Sequence, residues 1–476
     1  MNIVEVIQKE SAPCASKAAV IEGADSITYD ELLKITATLA LSLKSEGISR
    51  FQRVGILGTD SIDYIITSLA VLSLYAVIVP ISSDQTETEI RQIIDKIDLD
   101  FLIFEKGRFS QEGARMLSPD GLFRKEFYLA KKEIGELPCD EYYKINPAFI
   151  RFSSGTTGDS KGIVLSHEGI VDRTDAADKG LAITPQDNIL WVLSMSFHFV
   201  VSILLFLRRG ATIILCNHQF PESLIDGVMR HKGTFIYASP FHYSVLANSG
   251  QLAPDALANI RMAVSTAMKL PENIASEFNK KFGIELAEAY GIIEVGLPFI
   301  KFPSERDRRG SVGRPLPGYE IELRNRDADG VGEIYLKGKG MLEAYFSPWR
   351  GRDRILQDGW FRTGDLGSID ADGFLSIRGR DKDMINFMGM KVFAPEVEAV
   401  LDQHPFIKES LVYGQSHPQY GQLPVARIVL KEGKADGLDL NDLRRFCYQK
   451  LASYKVPKDF EVVDHITKTA SGKIKR

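Results

Sequence analysis

Residues 148–166 read AFIRFSSGTTGDSKGIVLS. The ten central positions, 153–162, hold three glycines, four hydroxyl side chains ahead of Asp159, and Lys161. Glycines let consecutive backbone N–H groups turn inward as an anion nest, the hydroxyls add donors, and the lysine adds a cation. The segment therefore reads as a phosphate-binding loop; taken alone, a flexible Gly/Ser linker is the alternative. It is not a Walker loop, which would need a glycine at Ser160 and a hydroxyl residue at Gly162. Both flanks, AFIRF and GIVLS, alternate as strands do, so the loop is expected to join two strands rather than to open a helix.

The surrounding chain alternates strand and helix periods. Thr28 and Glu31 fit a capping box that starts a helix running to Gly47. Strands are expected at 54–57, 77–81 and 101–104, with helices at 61–75 and 87–97 between them, and again at 212–215, 234–238, 261–264 and 285–289. Strands separated by helices imply parallel crossovers, hence a layered α/β fold. Past Gly310 the texture changes to short strands with Asp329-Gly330, Asp358-Gly359 and Asp372-Gly373 turns, which suits a small antiparallel, barrel-like unit. After Arg380 come a helix near 395–402, strands at 410–413 and 425–430, and a helix near 440–451. The expected organisation is a large N-terminal α/β domain, 1–380, and a small α+β C-terminal domain, 381–476, on a hinge.

Composition agrees with a globular protein of this size. The 476 residues are 44% hydrophobic and 25% charged, which excludes disordered, collagen-like and disulfide-scaffold classes. With 58 Lys and Arg against 63 Asp and Glu, the net charge of −5 offers no basic field for nucleic acid. Cys14, Cys139, Cys216 and Cys447 lack metal-ligand spacing and read as reduced thiols, and the charged N-terminus does not read as a signal peptide, so a cytoplasmic location is expected. The apolar run at 189–207 is broken by Ser194, Ser196, His198 and Ser202, and is expected to be buried core, not a membrane span.

The loop resembles the phosphate-binding signature of the adenylate-forming superfamily, which includes acyl-CoA synthetases, adenylation domains of nonribosomal peptide synthetases, and luciferases. Further segments resemble that family in order and spacing: Tyr290-Gly291-Ile292-Ile293-Glu294 its Y-G-x-T-E, Thr363-Gly364-Asp365 its T-G-D, Gly379 to Asp383 its hinge, and Gly472-Lys473 its C-terminal G-K. The resemblance implies ATP, Mg²⁺ and coenzyme A as cofactors, and domain alternation between two half-reactions. Carried over position by position, it implies a nucleotide site made of Ser153, Ser154, Gly155, Thr156, Thr157, Gly158, Lys161, Ser265, Thr266, Ala267, Glu288, Ala289, Tyr290, Gly291, Asp365 and Arg380. Within that set the resemblance makes Thr156 a catalytic hydroxyl and Asp365 with Arg380 the partners of the ribose; beside it, Glu294 would be catalytic as the Mg²⁺ ligand. Lys473 would bridge the acid carboxylate and the α-phosphate, Lys382 would be the hinge residue, and Gly389 would line the CoA tunnel.

Each assignment has a physical basis. A carboxylate at a strand end can hold the cation that a triphosphate brings. An acceptor-only Asp suits two vicinal hydroxyls, and a mobile lysine neutralises two anions brought together. Three positions depart from the family pattern: Ile293 replaces a hydroxyl residue, Asn386 stands where several relatives carry a lysine, and Tyr75 replaces a glycine.

The acid pocket is expected to be walled by Phe197, His198, Ala238, Ser239, Phe241, Ile292, Ile293 and Leu297. Amino-acid-activating relatives commonly place Phe-Asp where this chain has Phe197-His198. A histidine supplies no fixed negative charge for an ammonium, so an aryl, short branched or medium-chain acid without an α-amino group is expected. The leading expectation is an ATP-dependent acid:CoA ligase. The alternatives are an adenylation enzyme loading a carrier-protein phosphopantetheine and a catalytically impaired nucleotide-binding protein. Small molecules are the expected partners, without nucleic acid, and a homodimer is compatible with the sequence.

Overall fold

The computed structural model of the chain describes all residues except 118–122, 133–136, 153–160, 217–218, 306–307, 309, 389, 432–437 and 469–476. The chain divides into two compact units. The first comprises Met1–Asp307, Gly313–Glu320 and Lys337–Gly359; the second comprises Arg308–Val312, Ile321–Leu336 and Trp360–Arg476.

Two nine-stranded sheets form the first unit. In one, the strands Ala287–Ile292, Met262–Ser265, Phe235–Ala238, Asn188–Trp191, Thr212–Leu215 and Ala18–Glu22 lie side by side in parallel, with antiparallel strands closing both edges. In the other, Pro147–Phe152, Val77–Ser82, Arg53–Gly58 and Phe101–Glu105 are parallel neighbours. The helix Ile62–Ser73 touches strands of both sheets, and every residue from Ile62 to Leu72 is buried. Its sequence, IDYIITSLAVLS, is apolar around most of its circumference because it has no solvent side. Thr28 and Glu31 form the capping box that starts the helix Tyr29–Ser45.

The apolar run at 189–207 splits between a central strand, Asn188–Trp191, and helical turns from Met195 to Arg208, mostly within the core, with Ser194, Phe197, His198 and Val201 half-buried. Arg208 ends it, buried but paired with Glu10 at 2.8 Å and Asp175 at 2.9 Å. Among the described residues no helix is long and apolar enough to cross a membrane.

A four-stranded antiparallel sheet of Tyr319–Arg324, Gly332–Gly338, Phe361–Ile369 and Leu375–Arg380 carries the Asp-Gly turns, with Gly330 and Gly373 at φ 75° and 85°. The second unit also contains a five-stranded sheet flanked by the helices Ala394–Leu401 and Leu440–Lys450, around a core that includes Ile385, Val397, Ile428, Leu443 and Cys447. The junction expected to be a hinge lies inside this unit: strand Leu375–Arg380, a short turn Asp381–Asp383, then strand Met384–Phe387.

Candidate nucleotide and acid site

The phosphate-loop flanks are antiparallel neighbours, Pro147–Phe152 and Gly162–Ser166, with Phe152 opposite Gly162. Loop residues Ser153, Ser154, Gly155, Thr156, Thr157 and Gly158 lie outside the described residues, as do Gly389 and Lys473. Lys161 is described, and its Nζ stands 5.0 Å from the centroid of the Tyr345 ring. Tyr345 reaches this place because the short strand Ala344–Tyr345 pairs with Gly162–Ser166, and the Phe346 N–H donates to the Gly162 carbonyl at 2.7 Å.

Glu294 sits in the turn between the strands Ala287–Ile292 and Gly296–Lys301. That turn is tight enough that a Cβ on Gly291 would lie 2.6 Å from the Gly296 carbonyl oxygen, which explains the glycine. The turn's carbonyls are held from outside. Glu294 O accepts from the Leu342 N–H at 2.8 Å, and Ile293 O from Arg173 Nη1 at 3.0 Å. Arg173 is buried and gives its Nε and Nη2 to the Gly340 carbonyl, so all its nitrogens serve the backbone.

The Glu294 carboxylate accepts a hydrogen bond from the Tyr345 hydroxyl, and burial together with this carboxylate pushes the phenol up from its ordinary value. Its charge also acts on Arg151 and Arg173. Arg151 extends from the strand that leads into the phosphate loop. Its Nη1 donates to the Phe197 carbonyl at 2.7 Å, its guanidinium lies 4.9 Å from the Phe197 ring centroid, and its buried Nε has no hydrogen-bond partner among the described residues. Burial lowers its pKa to about 10. Tyr345 lies in the segment GEIYLKGKGMLEAYF, 332–346, which also resembles the family, whereas the one sequence signal for Arg151 is a cation inside an otherwise apolar strand.

The small-residue turn follows the strand Met262–Ser265. The Thr266 N–H donates to the Ala238 carbonyl at 2.9 Å, and Ala267 adopts φ 71°, a conformation that glycine takes more cheaply. Among the described residues the buried Ser265 hydroxyl has no partner, an orphaned polar atom of the kind that a nucleotide's polar edge can satisfy. Glu288 is already committed to an ion pair with buried Lys301 across the strand pair, where the two residues face each other in register. Ala289 stands opposite Ile300, and Tyr290 packs at 6.0 Å against Phe299. Among the described residues no group of three His, Cys, Asp or Glu could hold a metal ion. A single carboxylate at Glu294 suits a Mg²⁺ that arrives with phosphate oxygens of its own.

In the second unit Asp365 and Arg380 are cross-strand partners, with Arg380 Nε 3.2 Å from Asp365 Oδ1. Asp365 is buried, and its N–H donates to the Thr363 hydroxyl at 3.0 Å. Gly364 at φ 75° makes the bend that this contact needs. Lys382 is exposed in the turn that follows.

Residues 7–346 match the family model of the AMP-binding enzyme, and residues 396–473 that of the AMP-binding enzyme C-terminal domain. The chain belongs to the AMP-binding enzyme family. Within this adenylate-forming superfamily it is most like the acid–CoA ligases. A sulfoacetate–CoA ligase of Cupriavidus necator is 33% identical over 343 residues, which cover 69% of this chain and 66% of that protein. An indoleacetate–CoA ligase of Aromatoleum aromaticum is 26% identical over 498 residues, covering 100% and 97%. Among solved structures, ATP-bound MatB from Rhodopseudomonas palustris superposes with a TM-score of 0.84 at 24% identity. The o-succinylbenzoate CoA synthetase MenE of Bacillus subtilis, in complex with its acyl-adenylate, gives 0.85 at 23% identity. Both cover 100% of this chain and 97% of theirs, and show the same fold.

The expected acid pocket of this AMP-binding enzyme collects around the same strand ends. Phe197 and His198 are half-buried beyond the strand Asn188–Trp191, with the His198 ring 6.2 Å from Trp191. Leu297 and Ala238 are buried, while Ile292 and Ile293 are half-buried. The Ser239 hydroxyl lies 2.8 Å from His242 Nδ1 at the start of the helix Pro240–Asn248, and burial lowers His242 to about 4. Phe241 is 58% exposed and rests on Phe220 and His242, so it presents little buried wall. The carbonyl of Ile293 is taken by Arg173, and its side chain supplies no hydroxyl to the site.

Proposed function

We propose that this AMP-binding enzyme is an ATP-dependent acid:CoA ligase. It joins a carboxylic acid without an α-amino group to the α-phosphate of ATP, releases pyrophosphate, and passes the acyl group from acyl-AMP to the thiol of coenzyme A. The observation that carries this reading is the convergence of Lys161, Tyr345, Glu294 and Arg151 beside the phosphate-loop strands, in a chain similar over its full length to a CoA ligase. Glu294 would hold Mg²⁺, which when bound neutralises phosphate charge. Asp365 and Arg380 would hold the ribose, the Ser153–Gly158 loop and Lys161 the phosphates, and the Ser265–Ala267 turn the adenine edge. Lys473 would serve adenylation only, with Lys382 as the pivot that separates the two half-reactions and Gly389 on the path of the thiol.

The substrate reading rests on His198 and the apolar lining: an aryl, short branched or medium-chain acid, acted on in the cytoplasm. Acid-dependent exchange between ATP and pyrophosphate across a panel of aryl and aliphatic acids tests it. AMP and pyrophosphate are the expected products, and acid-dependent ADP formation would overturn adenylation. An α-amino acid as best substrate would overturn the pocket reading. Acyl transfer to a carrier-protein phosphopantetheine, but not to free CoA, would replace the acceptor.

A further inference from the structure

Buried or partly buried arginines elsewhere in the first unit have evident structural duties. Arg53 pairs with Asp100 at 2.9 Å and donates to the Ile97 carbonyl; Arg208 pairs with Glu10 and Asp175; Arg173 spends Nε and both terminal nitrogens on two carbonyls. Arg151 does not follow this pattern. Among the described residues its hydrogen bonding is a single Nη1 contact to the Phe197 carbonyl, its Nε is buried without a partner, and it forms no ion pair. A planar cation with five N–H donors is left mostly unused. Arg151 is half-buried, and keeping its Nε out of water without a partner has a cost that a ligand accepting from it would remove.

Its position says which ligand. Arg151 touches Phe197, in the expected acid pocket, and feels the charge of Glu294. It also stands two residues before the phosphate loop. The group that must lie between an acid pocket and a phosphate site is the carboxylate of the acid. We propose that Arg151 receives the carboxylate of the substrate acid and orients it for attack on the α-phosphorus. This rests on the ligase reading above. In the step, a carboxylate oxygen forms a bond to the α-phosphorus, the bond from that phosphorus to the oxygen bridging to the β-phosphate breaks, and pyrophosphate leaves with the electron pair. The carboxylate enters already ionised, so no proton moves. The guanidinium fork matches a carboxylate in two parallel N–H···O contacts and offsets the repulsion as the two anions meet.

Arg151→Met and Arg151→Lys test the assignment. Arg151→Met should lower kcat/KM for acid in ATP/pyrophosphate exchange by about 10²-fold or more, the scale for losing one placed charge. The loss should be of similar size for octanoate, indoleacetate and sulfoacetate, since all three present a reacting carboxylate. Arg151→Lys, which keeps the charge without the fork, should recover part of it. AMP binding and the urea unfolding midpoint should stay near wild type, and thioester formation from supplied acyl-AMP, which has no free carboxylate, should change by less than about threefold, well under the loss expected for a placed charge. Exchange equal to wild type overturns the assignment. So does a loss confined to sulfoacetate, which would place the contact on a distal anion, or an equal loss in both half-reactions. Octanoate binding to the chain loaded with α,β-methylene-ATP gives a readout without turnover. It should weaken at least about tenfold in Arg151→Met, and unchanged binding overturns the proposal. Absence of acid-dependent exchange in the wild-type chain would instead count against the ligase reading, leaving the binding comparison to judge Arg151.

Discussion

Two regions of the molecule each set an acidic residue beside an arginine, and they solve the electrostatics differently. In the second unit Asp365 and Arg380 are locked by strand register into a direct pair, with the arginine side chain 49% exposed. In the first unit Glu294 takes a hydroxyl from Tyr345 while Arg151 turns to a backbone carbonyl and keeps donors in reserve. With its arginine half in water the pair is only partly shielded, so the guanidinium can turn to solvent while buried Asp365 accepts from a ribose hydroxyl. A half-buried cation with no direct carboxylate contact among the described residues keeps donors for whatever enters, and partial exclusion of water strengthens its field. The first arrangement suits binding, the second chemistry.

The largest expected effect is on the chemical side of this contrast. Glu294→Gln should lower adenylation by about 10²- to 10³-fold with little change in AMP binding, measured by pyrophosphate exchange beside an AMP titration. Lys473→Ala should cost about 10²-fold in adenylation, yet leave thioester formation from supplied acyl-AMP near wild type. Lys382→Pro, which fixes φ, should do the reverse. Equal losses in both half-reactions for either variant would break the idea that the second unit alternates.

On the binding side, Asp365→Ala should raise KM for ATP by about tenfold or more with a smaller change in kcat. A kcat loss as large as that of Glu294→Gln would erase the distinction between the two regions. Tyr345→Phe removes one hydroxyl from Glu294 and keeps the ring beside Lys161. A loss of about tenfold in ATP-dependent adenylation, accompanied by a raised Mg²⁺ requirement, is expected for a group that only orients the carboxylate.

A separate effect, on stability and not on turnover, concerns acid. In the first unit burial lowers His167 to about 4, with its Nδ1 accepting the Ile3 N–H at 3.2 Å. The unfolded ring titrates near 6.5, so on acidification the unfolded state takes up the proton first. The contribution is complete above about pH 6.5 and is lost as pH falls toward 4, to a total of about 3 kcal/mol. Urea midpoints should fall over that window, and His167→Gln should flatten the dependence; an unchanged slope in the variant would assign the acid lability elsewhere.

Much of this architecture is legible along the chain. The helix Glu87–Ile97 and the strand Thr212–Leu215 occur at the residues that periodicity predicts, because period and caps are local properties. The strand expected at 285–289 is instead Ala287–Ile292, carrying Tyr290 and Gly291 into the sheet. Pairing with Gly296–Lys301 decides its end, and that pairing is invisible to local pattern.

The same division runs through the site. The sequence by itself determines the anion-binding composition of residues 153–162, the strand flanks of that loop, and the Asp365 turn, since each depends on neighbours within a few positions. Only the tertiary structure decides that Tyr345 reaches Glu294, that Lys301 already occupies Glu288, and that Arg151 rests on Phe197 within the field of Glu294 with donors unspent among the described residues. Those contacts join residues from different strands and turns. Sheet register and burial bring them together, and burial gives the resulting charges their strength.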